Sequence, residues 1–329
     1  MRGRKKAAVI GGGAWGTALA LTMIAAGHDA DLWARERASV EAINQRGENS
    51  RYLPGIALDE RLRATDDPDT AVDGAALVLV ATPAQTLRDV FSILSGRIAP
   101  DIPVVICAKG IEVSSGLLPS AIAAQFFPRQ TIGSLSGPSF ARDVAQGLPT
   151  AVTVAADDAA TARELAAFLS APHFRCYSSD DLAGVELGGA LKNVMGIAAG
   201  AVSGAGLGAS ALAAMVTRGF VELRRVGAAL GGRPETLMGL SGLGDLILTC
   251  GSEQSRNFRY GQTLARGEST EGLPLAEGVP TAAVAAKIAR ERGIEAPIIF
   301  AVSALLERRM TVAEAVTGLL ARPLKSENA

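Results

Sequence analysis

Residues 7–20 read Ala-Ala-Val-Ile-Gly-Gly-Gly-Ala-Trp-Gly-Thr-Ala-Leu-Ala, a short apolar run set against glycines and followed by helix-forming residues. Gly11-x-Gly13-x-x-Gly16 between a strand and a helix is the pattern of a dinucleotide-binding turn. Gly11 permits the tight turn, Gly13 lets a pyrophosphate approach the backbone, and Gly16 lets the helix pack closely on the strand. The start of the helix adds unpaired N–H groups and a partial positive charge. A glycine-rich turn without a ligand would look the same in isolation, so the strand–turn–helix context carries the reading. The basic first residues and the apolar stretch 7–26 also resemble a secretory leader. Glycines at 11, 12, 13 and 16 interrupt that stretch at the spacings a nucleotide turn needs, so a cytoplasmic protein is expected.

Gly27 ends the first helix, after which Ala30, Leu32 and Ala34 alternate with Asp31, Trp33 and Arg35 as a second strand. An NAD site usually ends this strand on Asp or Glu, which accepts from the ribose hydroxyls. Here Ala34 stands at that place, and Asp31 lies three residues earlier. Arg35 follows and Arg37 is close by. A guanidinium suits the 2′-phosphate of NADP, the alternative being a solvated loop charge. NADP(H) is therefore the expected cofactor, with NAD(H) as a second possibility.

Residues 77–81, 104–108, 132–135 and 151–154 are further apolar strands, and residues 38–46, 85–95 and 117–125 read as helices. Alternating strands and helices imply an α/β fold with a mostly parallel, doubly wound sheet. After about residue 180 the texture changes. Residues 182–204, 209–230, 281–292, 298–307 and 311–320 read as helices, and no convincing strand remains. Two domains are expected: a nucleotide-binding α/β domain over 1–180 and an all-α domain over 181–329.

Composition excludes several function classes. The 329 residues are 48% hydrophobic but only 4% aromatic, which favours helix–helix and helix–sheet packing through Ala, Leu, Val and Gly. A net charge of −1 provides no global field for nucleic acid or a membrane surface. Glu186, Lys192, Asn193 and many glycines in residues 185–216 argue against membrane insertion there. Cys107, Cys176 and Cys250 are too few and scattered for a disulfide framework. No Cys/His cluster exists for zinc, so no metal is expected.

Hydride transfer at an alcohol carbon needs a group to carry the hydroxyl proton. None of Tyr52, Tyr177 and Tyr260 has a lysine four residues on, so a Tyr-x-x-x-Lys base fails. His28 lies in a helix-to-strand turn, and His173 precedes a strand. Among the lysines, only Lys109 and Lys192 sit amid apolar or small residues. A desolvated ammonium titrates below its ordinary range, as a lysine base requires. The alternative for Lys192 is a buried ion pair with Asp245 or Glu186. Asp245 lies in the apolar stretch 241–247, where a carboxylate must be paired. Ser255-Arg256-Asn257 offers a hydroxyl, a fork-shaped cation and an amide, which suits a phosphate but also a surface loop.

Seven short motifs occur in order. They are Gly11–Gly16 with Trp15, Ala108-Lys109-Gly110-Ile111-Glu112, Ser136-Gly137-Pro138-Ser139-Phe140-Ala141 and Leu191-Lys192-Asn193-Val194, then Gly242-Leu243-Gly244-Asp245-Leu246, Ser255-Arg256-Asn257 and Glu277-Gly278-Val279. With them the chain resembles bacterial NAD(P)-dependent glycerol-3-phosphate dehydrogenase nearly end to end. The resemblance implies an N-terminal Rossmann-type domain, an all-α C-terminal domain and a cleft between them. It implies Lys192 as proton acceptor. Lys109, Gly137, Ser139, Lys192, Asp245, Ser255, Arg256 and Asn257 would hold a small phosphorylated three-carbon substrate. Gly11, Gly13, Ala14, Trp15, Gly16, Arg35, Lys109, Ala141, Arg256, Leu275 and Glu277 would contact the cofactor. Ala14 stands where the family often has serine, which leaves only a backbone contact there, and Leu275 stands where valine is expected. The family is cytoplasmic, often homodimeric, and supplies glycerol 3-phosphate for phospholipid synthesis.

Two rival readings remain at this stage. Ketopantoate reductase or hydroxyacyl-CoA dehydrogenase would share the two-domain plan, and the Ser-Arg-Asn triplet argues against them by favouring a phosphorylated substrate. A catalytically silent NADP-binding sensor would keep the turn but not need the lysine.

Overall fold

The computed structural model describes residues 4–321; the first three residues of the basic start and Lys325 lie outside the described residues. β1 (Lys6–Ile10) is buried from Ala7 onward because it is paired on both sides, by β2 (Asp29–Trp33) and β4 (Leu77–Val80). A strand covered on both faces must be continuously apolar, and Ala-Ala-Val-Ile meets that demand. β3 (Arg63–Thr65), β5 (Val104–Ile106), β6 (Ile132–Ser136), β7 (Thr150–Ala156) and β8 (Phe174–Ser179) complete one sheet among the described residues. Its order is β3-β2-β1-β4-β5-β6-β7-β8. The pairings are parallel except β6 with β7, which is antiparallel. The strand order reverses between β1 and β4, which run parallel, and the loops leaving those two strands form the crevice where such sheets bind ligands.

Seven helices flank the sheet in the described residues: α1 (Ala14–Ala25), α2 (Arg37–Glu41), α3 (Pro68–Val72), α4 (Leu87–Leu94), α5 (Pro119–Phe126), α6 (Ala141–Ala145) and α7 (Ala159–Leu169). The helical stretch expected over 38–46 is present but not uniform. α2 widens into a π turn, Ala42–Arg46, and stops at Gly47, whose φ is +64°. The segment expected over 85–95 opens with a 3₁₀ turn, Ala84–Thr86.

Beyond β8 the described chain is helical: α8 (Leu182–Gly204), α9 (Ala209–Ala229), α10 (Pro234–Leu237), α11 (Asp245–Cys250), α12 (Arg256–Ala265), α13 (Gly278–Glu291), α14 (Pro297–Leu306) and α15 (Val312–Leu320). Asp181 caps α8 by accepting from the Gly184 N–H at 2.8 Å. Gly184 through Ala201 are all buried, so α8 is the axis around which the other helices pack. α12 lies against it at backbone contact. A Cβ on Gly200 would stand 1.9 Å from the Phe258 carbonyl oxygen, and one on Gly261 2.1 Å from that of Ile197. This contact seats the start of α12 beside the middle of α8. No helix among the described residues is long and apolar enough to cross a membrane.

Candidate active site

The glycine turn leaves β1 and enters α1 as the spacing requires. Gly11 has φ +123°, and a Cβ there would meet the Ala81 carbonyl oxygen at 2.9 Å. A Cβ on Gly16 would sit 1.9 Å from the Gly11 oxygen, so the helix start packs directly on the turn. Gly13 faces open space, and no side chain caps α1. The N–H groups of its first turn therefore have no partner within the helix. The Trp15 Nε1 and Thr82 Oγ1 atoms are buried without hydrogen-bond partners beside this cradle. An open backbone cradle with unused donors fits a dinucleotide.

Arg35 follows β2 and is exposed. Asp31, inside the strand, is paired with Lys6 at 2.6 Å and is not free to take ribose hydroxyls. Ala141 opens α6, which packs on α1. Leu275 is 48% exposed in the segment before Glu277.

The sheet and helical halves meet at two lysines and one aspartate. Lys192, on the buried stretch of α8, is 8% exposed, and Asp245, at the start of α11, 1%. Lys192 Nζ donates to Asp245 Oδ1 at 2.9 Å and to Thr249 Oγ1, one helical turn on, at 2.7 Å. Lys109, in the loop after β5, donates to Asp245 Oδ2 at 2.6 Å and to the Gly137 carbonyl at 2.9 Å. Ser139 Oγ donates to that same carbonyl at 2.9 Å. Each ammonium has three donors and uses two of them here.

The electrostatics follow from this packing. Burial pushes Lys192 down to about 8; Asp245 opposes the shift, and the neighbouring Lys109 charge adds to it. Burial alone would raise Asp245, but the charges of Lys109 and Lys192 bring it below the usual carboxylate range. Two cations around one anion leave a net positive site suited to a developing alkoxide.

The Ser255-Arg256-Asn257 triplet is a helix start rather than a loop. Ser255 caps α12 by accepting from the Phe258 N–H at 3.2 Å. The Asn257 side chain is committed to the protein: its Nδ2 donates to Asn193 Oδ1 at 2.8 Å, and its Oδ1 accepts from the Gly278 N–H at 2.9 Å. Asn193 in turn donates to the Lys109 carbonyl at 3.0 Å. What this triplet offers an anion is therefore the exposed Arg256 guanidinium and the N–H groups of the first turn. Glu277 accepts from the Ala84 N–H at 3.0 Å, and its other oxygen is buried without a partner. Burial pushes its carboxyl up, against the Ala84 N–H and the Arg256 charge.

Sequence reasoning missed Thr249 and the bridging role of Asn193. A threonine in a helix carries no signal of its own, although its place four residues after Asp245 puts both on one face. Glu186, the other partner considered for Lys192, instead accepts from Ser120 N at 2.8 Å and Ser120 Oγ at 2.6 Å. His28 stacks on Phe168 with ring centroids 4.2 Å apart, a packing role away from the lysines. Among the described residues no group of His, Cys, Asp and Glu has metal-site geometry.

The profile for the N-terminal part of NAD-dependent glycerol-3-phosphate dehydrogenase matches residues 6–162, and that for its C-terminal part matches residues 181–317. The chain belongs to this family. It is 64% identical over 319 residues to a glycerol-3-phosphate dehydrogenase [NAD(P)+] of Mesorhizobium japonicum, covering 97% of this chain and 93% of that protein. A protein of the same name from Chelativorans sp. is 63% identical, with 97% and 98% covered. The crystal structure of glycerol-3-phosphate dehydrogenase from Coxiella burnetii superposes with a TM-score of 0.92 at 35% identity, covering 97% of this chain and 99% of that one.

Proposed function

We propose that this family member interconverts sn-glycerol 3-phosphate and dihydroxyacetone phosphate with NAD(P)H or NAD(P)+, and that Lys192 carries the proton. The observation behind the second statement is the buried Lys192 ammonium, held by two protein acceptors with one donor left over. NAD(P)H, when bound, supplies the hydride. In the reducing direction Lys192 gives its third proton to the C2 oxygen. The remaining two hydrogens match the two protein acceptors, so the neutral amine stays in place with its lone pair toward the substrate. In the reverse direction that lone pair removes the hydroxyl proton.

Lys109 adds positive charge where the alkoxide develops, and Asp245 fixes both ammonium groups at one distance from each other. Arg256 and the α12 start hold the phosphate, so that binding energy far from C2 positions C2 for reaction. On the cofactor side, Gly11–Gly16, Ala141 and Glu277 hold the dinucleotide and Arg35 reads a 2′-phosphate. This reading divides the chain near residue 180, between β8 and α8. It also makes the protein a cytoplasmic homodimer supplying glycerol 3-phosphate for phospholipids.

A rate assay tests the reaction. NADPH should be consumed with dihydroxyacetone phosphate and not with dihydroxyacetone or ketopantoate. Equal turnover with the unphosphorylated ketone would contradict a phosphate-anchored substrate.

A further inference from the structure

The residues after α2 contain a polar side chain that neither the fold nor the proton chemistry explains. Asn49 is 1% exposed, in a loop between Gly47 and Leu58. Its Nδ2 donates to the Gly12 carbonyl at 3.0 Å and to Thr17 Oγ1 at 2.8 Å. Thr17 Oγ1 passes the contact on, donating to the Gly13 carbonyl at 2.9 Å. Two consecutive carbonyls of the glycine turn are thus tied down by side chains, one from outside the turn and one from α1.

The loop is built to hold Asn49 still. Leu58 N donates to the Gly47 carbonyl at 2.9 Å and closes the loop at its base. Tyr52 N and Leu53 N donate to the Asn49 carbonyl at 3.1 and 2.7 Å. Leu53 and Ile56 are buried beneath it. Two further tethers leave the same loop. Arg51 pairs with Glu36, the neighbour of Arg35. Arg142, the neighbour of Ala141, donates to the Pro54 carbonyl at 3.0 Å. One loop therefore touches the glycine turn and the immediate neighbours of Arg35 and Ala141. The Arg51 and Arg142 contacts are exposed and contribute little. Asn49 itself is buried, its contact with Thr17 fully and its contact with the Gly12 carbonyl in part, so losing the donor costs more than losing an exposed pair.

We propose that Asn49, acting through Thr17, is a positioning residue for the nicotinamide dinucleotide. It fixes the carbonyl side of the Gly11–Gly16 turn, so that the opposite N–H side keeps the orientation that receives the pyrophosphate. The inference rests on the reading that this turn binds the cofactor. A turn free to rotate its peptides would still fold, but would order itself anew at each binding event.

The test measures the NADPH dissociation constant by fluorescence titration of the full-length protein, with melting temperature and steady-state kinetics alongside. Asn49→Ala should raise that constant about tenfold or more, and Asn49→Asp, which keeps the shape but presents oxygens to the carbonyl, should not restore it. Thr17→Val should weaken NADPH by several-fold, while Thr17→Ser, which keeps the hydroxyl, should stay within about twofold of the parent. The kinetic loss should fall on the KM for NADPH, with the KM for dihydroxyacetone phosphate and kcat at saturating cofactor little changed. If Asn49→Ala does not fold, the Thr17 pair carries the test. NADPH constants within about twofold of the parent in Asn49→Ala and Thr17→Val, with lowered melting temperatures, would reduce Asn49 to a purely structural anchor and overturn the proposal. Failure of the parent protein to bind NADPH would instead overturn the reading beneath it.

Discussion

At Lys192, burial and charge act against each other on one amine. Burial wins, taking it from the ordinary lysine range down to about 8, although Asp245 sits 2.9 Å away. Oxidation of glycerol 3-phosphate needs the neutral amine, so its rate should rise with pH through about 8. Reduction of the ketone needs the ammonium and should fall across the same interval. Initial rates from pH 6 to 10 in both directions check this, and profiles of the same sign would contradict a shared proton carrier. Arg35 makes a second prediction. Arg35→Asp should lower the NADPH-to-NADH ratio of kcat/KM by about ten- to a hundredfold, the worth of a charge-assisted contact. An unchanged ratio would make Arg35 a solvated charge. Residues of this kind were legible because their types are unusual for their surroundings: Lys192 is a cation in a run of Gly, Ala, Val and Met. Asp245 was readable only as one of two candidate partners for Lys192, beside Glu186. It lies 53 residues from Lys192 and 136 from Lys109, and the packing of α8, α11 and the β5 loop decides between the two and adds Lys109 to the pair.

Among the elements, α8 carries the most weight because its small residues let α12 touch its backbone. Gly200→Ala would place a methyl group 1.9 Å from the Phe258 carbonyl oxygen, which neither helix can avoid without moving. A loss of about 2 kcal/mol or more is expected, measured by urea unfolding. Substrate affinity should fall too, because α12 carries Arg256 and the helix start proposed to hold the phosphate. Wild-type stability and KM in this variant would show that the close contact is not needed. α8 was readable from sequence to its end residues, since the run between Asp181 and Gly206 has no proline and its glycines are spread among Ala, Leu, Val and Met. β3 was not counted, because Arg63–Thr65 is only three residues, and β8 was noted only as a strand following His173, because Phe174–Ser179 is largely polar. A sheet edge asks for no continuous apolar pattern, so it leaves little signal. α12 was hidden for a different reason: its first residues resemble a loop until Ser255 is seen to cap them.

The whole molecule depends on two halves holding one relative position. Glu186 on α8 helps to set it by accepting from the Ser120 N–H and hydroxyl at the start of α5. Burial raises its carboxyl to about 7, against both Ser120 contacts, and the Asp157 charge adds to the rise. In the unfolded chain the value is near 4.5. The folded protein therefore binds more protons between those values. This contribution is full below about 4.5 and is lost as pH rises through about 7. Glu186→Gln keeps an acceptor for Ser120 and removes the titration, so its melting temperature should vary less than the parent's between pH 5 and 8. Parallel curves would mean that Glu186 does not titrate there. The alternation of strands and helices revealed both halves from sequence, but not the contacts that join them, since Ser120 and Glu186 are 66 residues apart. What the joined halves achieve is to bring an amine from the helical half, through Asp245, beside the loops that follow β5 and β6 in the sheet half. The direct test is Lys192→Ala, comparing single-turnover oxidation of NADPH by dihydroxyacetone phosphate with the NADPH dissociation constant. Turnover should fall by about 10²- to 10⁴-fold while NADPH affinity stays within about twofold. Turnover near the parent rate would contradict Lys192 as the proton carrier.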